Sequence, residues 1–177
     1  FVDSHGMAGN RFSVKLTESP EDHFHSHPNF LDIKAMLFAS QLDSPVKDIA
    51  VGIFSLLADA EGRVHGKSPD TVSFHEVGAW DSIADIVGAA YLIHEIGPAN
   101  WSVSSVPLGG GRVASAHGSL PIPAPATLQL LTGMTMHDDG ISGERVTPTG
   151  AAILKFLDCS YGLGSGPQVL KNIGIGF

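Results

Sequence analysis

Residues 74–90 read FHEVGAWDSIADIVGAA, and this stretch sets the architecture of the chain. A short polar segment with a His-Glu pair meets a Gly, then a sequence that becomes steadily more apolar. Asp81 or Ser82 is a natural cap, and the helix it opens should run to Glu95 or Ile96 and stop at Gly97-Pro98. The segment before it has room only for a strand end or a loop. A strand-like entry followed by an apolar helix is the unit from which α/β proteins are built.

The same grammar recurs on both sides. Asn29–Ser40 carries apolar residues at 30, 33, 36 and 37, one face of a helix. Ser44-Pro45 marks another helix start, with a run to about His65 and a stop at Gly66. Gly62 inside that run costs about 1 kcal/mol relative to Ala. Ser68-Pro69-Asp70 is a further start or turn. Downstream, Ala126–Leu131 reads as a short helix ended by Gly133, and Thr147-Pro148 opens one that runs to Leu157. Strands are expected at Arg11–Leu16, Trp101–Pro107 and Val169–Ile175. Gly109-Gly110-Gly111 should be a turn or a place of close backbone approach, and His117–Pro125 an extended Pro-rich segment. Helices alternate with short strands, so the class is α/β, with mixed α+β as the variant. The expected organisation is a single core domain over 1–177, with a His-rich loop at 17–28.

Composition narrows the function. The chain has 177 residues, 43% of them hydrophobic, which is enough for a substantial core. Only 16% are charged and the net charge is −8. Nucleic acid is a poor partner for that balance, because phosphates need clustered Lys and Arg. Nine His are available, and imidazole is the commonest metal ligand. The single Cys159 permits no internal disulfide, fits a cytoplasmic setting and reads as a small core residue. No apolar run reaches membrane-spanning length, and no signal peptide is visible. The chain starts at Phe1, as a fragment of a longer protein would. Oligomeric state is not readable, so a homo-oligomer stays open.

Several residues could carry chemistry. Asp81 and Asp85 share a helix face at its positive end, although alone they read as a cap and a first-turn carboxylate. Glu61 and His65 are likewise four apart and suit a divalent metal; the plainer reading is a surface pair. His75 and Glu76 are adjacent, so a strand would send them to opposite faces unless Gly78 makes the backbone irregular. His23, His25 and His27 alternate, and an extended loop would point all three imidazoles one way. A solvated polar loop explains them equally well. His117 precedes Gly118 and a rigid Pro-rich run, where a lone His is more often structural. Gly109, Gly110, Gly111 and Arg112 could offer backbone N–H groups and a guanidinium to a phosphate. Walker, dinucleotide-binding and nucleophile-elbow patterns are all absent.

Three blocks, VHG…FHEVGAWDSIADIVGAA (64–90), PLGGGRVASAHGSLPIPAPATLQLL (107–131) and GERVTPTGAAIL (143–154), resemble one family. It is the nickel-insertion (LarC) family of nickel-pincer cofactor biosynthesis, which serves lactate racemase. The blocks fall in the family's order and spacing, and the resemblance covers most of residues 23–177. The family's opening Ser-Gly-Asp-Met-type segment has no counterpart in residues 1–20.

The resemblance implies a cyclometallase, a lyase-type enzyme. Its substrates would be nickel and a nucleotide-like molecule, the pyridinium-3,5-bisthiocarboxylic acid mononucleotide. CTP with Mn or Mg would be needed, bound by a C-terminal domain outside this chain. On that reading His23, His25 and His27 collect nickel. His75, Glu76, Asp81 or Asp85 then takes the proton lost from the pyridinium carbon. His117, Glu61 and His65 are further metal candidates. The substrate's phosphate would sit on Gly109–Arg112 and on Thr147, Thr149 and Gly150, at a helix N-terminus. Two other classes stay open: a metal-dependent hydrolase built on His65, His75, Glu76 and His117, and a non-catalytic nickel carrier or storage module using only the His23–His27 arm.

Overall fold

The computed structural model describes residues 2–4, 7–9, 28–74, 80–115, 118–162 and 164–174. Among the described residues, five helices pack around one hydrophobic core and ten short strands pair in twos, giving a mixed α/β fold. The expected strand at Arg11–Leu16 and most of the loop at 17–28 lie outside the described residues.

Helix α1 (Phe30–Ala39) begins at a full capping box. The Asn29 side chain accepts from the Asp32 N–H, and the Asp32 carboxylate accepts from the Asn29 N–H, both at 3.0 Å. Helix α2 (Ser44–His65) is the longest, and α1, α3, α4 and α5 all pack on it. Its buried face is Val46, Ala50, Ile53, Phe54, Leu57, Ala58 and Ala60. Those positions follow the three-and-four spacing that puts side chains on one side of a helix. Gly66 ends it in the left-handed region at φ 62°, where a side chain would be strained. Gly62 has a reason of its own to lack a side chain. A Cβ there would stand 2.8 Å from the Lys67 carbonyl oxygen, where the chain turns back over the helix.

After a 3₁₀ turn at Pro69–Thr71, Val72 and Phe74 enter the core. The Phe74 and Phe54 rings meet at 6.1 Å between centroids, tilted by 49°. Helix α3 (Trp80–Ile96) buries Ile83, Ile86 and Ala90. Helices α4 (Pro125–Leu131) and α5 (Pro148–Phe156) close the bundle against α2 and against each other.

The strands are β1 (Val2–Ser4), β2 (Met7–Gly9), β3 (Ser102–Val103), β4 (Val106–Pro107), β5 (Gly109–Gly110), β6 (Arg112–Ser115), β7 (Gly118–Pro121), β8 (Met136–His137), β9 (Gly143–Glu144) and β10 (Ser160–Tyr161). Pairs β1–β2, β5–β9 and β6–β7 are antiparallel; β10–β3 and β4–β8 are parallel.

Several expectations need correction. Asp43, not Ser44, takes the cap position of α2, and Ser44 is already helical. Helix α3 starts at Trp80, which puts Asp81 inside the first turn. The single strand expected over Trp101–Pro107 is broken at Ser104-Ser105, and its halves pair with different partners, β10 and β8. Residues 169–174 contain no strand; Val169, Leu170 and Ile173 are 84%, 76% and 75% exposed. Among the described residues no strand pairs with them, and the last strand there is at Ser160–Tyr161.

Candidate functional site

The sequence candidates fall into three groups. His23, His25, His27, His75, Glu76 and His117 lie outside the described residues. Asp81 and Asp85 are exposed in the first turns of α3, and the Asp81 carboxylate accepts from the Ser82 N–H at 2.8 Å. Glu61 and His65 face each other across one turn of α2, with Oε2 and Nε2 3.4 Å apart. The end of α2 and the start of α3 therefore flank the segment that carries His75 and Glu76. Among the described residues, no group of three or more His, Cys, Asp and Glu side chains is arranged to hold a metal ion.

The remaining candidates come together. Strand β5 pairs with β9, setting Gly109 opposite Glu144 and Gly110 opposite Gly143. Gly109 has φ 72°, and a Cβ there would collide with the Gly143 carbonyl oxygen and stand 2.8 Å from Arg145 Cγ. Only glycine meets both demands. Three residues beyond β9, Thr147 caps α5 by accepting from the Gly150 N–H at 3.1 Å. Its hydroxyl also lies 2.9 Å from the Thr149 hydroxyl. The glycine run and the α5 N-terminus, far apart in sequence, are thus joined through one ladder.

Arg112 has a structural task that its sequence context did not reveal. Its Nε donates to Ser119 Oγ at 2.8 Å and its Nη2 to the Ser119 carbonyl, bracing the β6–β7 hairpin. Two of its five N–H donors are held in this way.

Sequence reasoning missed four residues beside this ladder. Pro107 and His137 are register partners in β4–β8, and the Leu108 N–H donates to the His137 carbonyl at 2.9 Å. The His137 ring Nδ1 lies 3.0 Å from Ser105 Oγ. Asp139 Oδ2 accepts from Arg145 Nε at 2.8 Å, and Oδ1 accepts from the Ile141 N–H at 3.1 Å. The Ile141 amide first, then the Arg145 guanidinium, hold the Asp139 carboxyl below its ordinary acidity range; His137 adds a smaller pull in the same direction. The available signal was the run MHDDGISGER (136–145), a His and two carboxylates at a Gly turn followed by an Arg.

A separate cleft of about 450 Å³ lies at the other end of α5. Leu56, Val103, Met134 and Leu154 supply apolar wall, and Lys155, Asp158, Cys159 and Tyr161 supply polar wall. Cys159 is half-buried in this wall instead of packed in the core, because the chain leaves α5 through Asp158 at φ 48°. Burial, with the Asp158 charge second, pushes its thiol up, so it is protonated at neutral pH. Lys155 Nζ donates to the Leu130 carbonyl at 3.1 Å, at the end of α4.

The glycine strand pairs with the segment that leads into a capped helix, on a chain with nine His and a net charge of −8. The chain belongs to the nickel insertion protein family, whose model matches residues 1–177. A protein of Geotalea uraniireducens (strain Rf4) named "Putative nickel insertion protein" is 47% identical over 175 residues, 99% of this chain and 43% of that protein. One from Geotalea daltonii is 47% identical over 171 residues, 97% of this chain and 42% of that protein. One from Wolinella succinogenes is 43% identical over 175 residues, 99% of this chain and 43% of that protein. The chain therefore spans less than half the length of these relatives. No solved structure matches it. Among the described residues, no helix is long and apolar enough to cross a membrane.

Proposed function

We propose that this chain is the core of a cytoplasmic enzyme that inserts nickel into the pyridinium-3,5-bisthiocarboxylic acid mononucleotide, a CTP-dependent cyclometallase. Nickel is the cargo, and the nucleotide-like molecule receives it. The observation that carries the reading is the joining of the 107–131 and 143–154 blocks through the β5–β9 ladder. A glycine strand paired with the segment that leads into a helix N-terminus suits a substrate phosphate, which would sit on Gly109–Gly111 and Thr147–Gly150. Arg112 contributes charge from its braced position.

Residues 1–177 act as one domain on this reading. His23, His25 and His27 collect nickel, with His117, Glu61 and His65 as further ligands. His75, Glu76, Asp81 or Asp85 is a candidate acceptor for the proton that nickel replaces. The metal insertion replaces a ring proton by nickel, so at least one base is required. CTP with Mn or Mg is handled by the part of the protein outside this chain.

The test uses the protein at its full native length. It is incubated with the bis-thiocarboxylate mononucleotide, nickel, CTP and Mg or Mn, and the product is weighed by mass spectrometry. A nickel-bearing product is expected. Folded protein that yields none under these conditions overturns the reading.

A further inference from the structure

We propose that His137 is a catalytic base at the glycine-ladder site, with Ser105 as its positioning residue. This assignment rests on the nickel-insertion reading above.

The placement comes from backbone pairing. His137 ends β8 opposite Pro107, and its carbonyl accepts from the N–H of Leu108, the residue directly before Gly109. The imidazole is therefore carried on the strand paired with β4, which directly precedes the glycine run. It is exposed, so a bound molecule can reach it. The ring orientation comes from Ser105, whose Oγ is 3.0 Å from Nδ1. A serine hydroxyl can accept as well as donate. With Nδ1–H donating to Ser105 Oγ, the lone pair stands on Nε2, ready to accept a proton. The same hydrogen bond persists when Nε2 is protonated, so accepting the proton breaks nothing.

Charged groups share the turn that follows His137. Asp139 is ionised at neutral pH, two residues along the same turn, and its charge interacts with His137. Arg145 faces the same carboxylate at 2.8 Å and offsets part of that charge. Asp138 uses its Oδ1 to accept from the Gly140 N–H at 2.8 Å, which fixes the turn that carries both groups.

The step balances without a redox partner. The electron pair of the pyridinium C–H bond becomes the Ni–C bond. The proton leaves to His137 Nε2, and nickel stays divalent.

The experiment compares full-length wild type, His137→Gln and Ser105→Ala in the nickel-insertion assay. His137→Gln should lower the insertion rate about 10²–10⁴-fold, the usual contribution of a general base. Its Tm should be unchanged, because the ring is exposed. Ser105→Ala should lower kcat about threefold to tenfold with KM unchanged, as expected for one orienting hydrogen bond. Nitrogen NMR should show the neutral ring protonated on Nδ1. Wild-type turnover in His137→Gln overturns the assignment and leaves the nickel-insertion reading standing. A ring protonated on Nε2 overturns it too. An inactive wild type overturns both.

Discussion

Helix α2 is 22 residues long and is covered by four other helices, whereas among the described residues no strand between Ser102 and Glu144 exceeds four residues. The helical half holds itself together through fully buried side chains such as Ile53, Phe54, Leu57 and Leu131. The ladder half relies on paired backbone and on local side-chain bonds: Arg112 to Ser119, Asp139 to Arg145, Ser105 to His137. One half is rigid because it excludes water. The other stays in water, where its N–H groups, hydroxyls and imidazole remain within reach of a ligand. The division explains why the two halves should respond differently to substitution.

The largest effect is expected in the core. Phe54 is completely buried and touches Phe74, the residue that leads into the segment ahead of α3. Phe54→Ala should remove about 3–5 kcal/mol of stability, the usual cost of deleting a core aromatic. Urea denaturation measures it. A loss under about 1 kcal/mol would mean that the helices do not depend on this contact, and the contrast between the halves would collapse.

Gly109→Ala should do less globally and more locally. The left-handed backbone alone costs a non-glycine residue about 1–2 kcal/mol, and the Gly143 carbonyl blocks the new methyl. The β5–β9 pair should open while α2 stays folded. Amide hydrogen exchange is the direct measurement: faster exchange at 143–145, unchanged exchange in α2. Uniform acceleration everywhere would show that the ladder is part of the core's cooperative unit.

The same division governs what could be read from the sequence. Helices announce themselves within a few residues. The apolar face over Asn29–Ser40, Gly66, and the Thr147-Pro148 start each gave a boundary to within a residue or two. Two-residue strands show no period, and their partners lie far away in sequence, so nothing local signals them. Ser105 and His137 are 32 residues apart, a separation at which no spacing rule applies. The glycine run and Thr147 were legible as chemistry, because backbone N–H groups need no pattern beyond glycine and a cap. That the glycine strand pairs with the segment leading to Thr147 was not. Cys159 was misread because its apolar sequence neighbours suggested core, while the turn at Asp158 delivers it to a cleft wall. The tail erred in the opposite sense: composition at Val169–Ile175 suggested a strand, but a strand needs a partner edge as well as propensity, and residues 169–174 form none.

The smallest effect is expected at Asp139, and its sign is fixed by the direction of its shift. The carboxyl is more acidic in the folded chain than its ordinary value of 3.8, chiefly through the Ile141 amide and next through Arg145. A depressed acid stabilises the fold above its unfolded pKa and loses that contribution as pH falls through the folded value. The turn at 138–145 should therefore stay intact at pH 5 and loosen only below the ordinary carboxylate range. The exposed setting keeps the effect local and salt-sensitive. Following the Ile141 amide resonance during acid titration measures it. A midpoint above 3.8 would mean that Arg145 does not hold this carboxylate, and that the ladder's polar bonds are looser than the packing of the helices by more than their exposure alone requires.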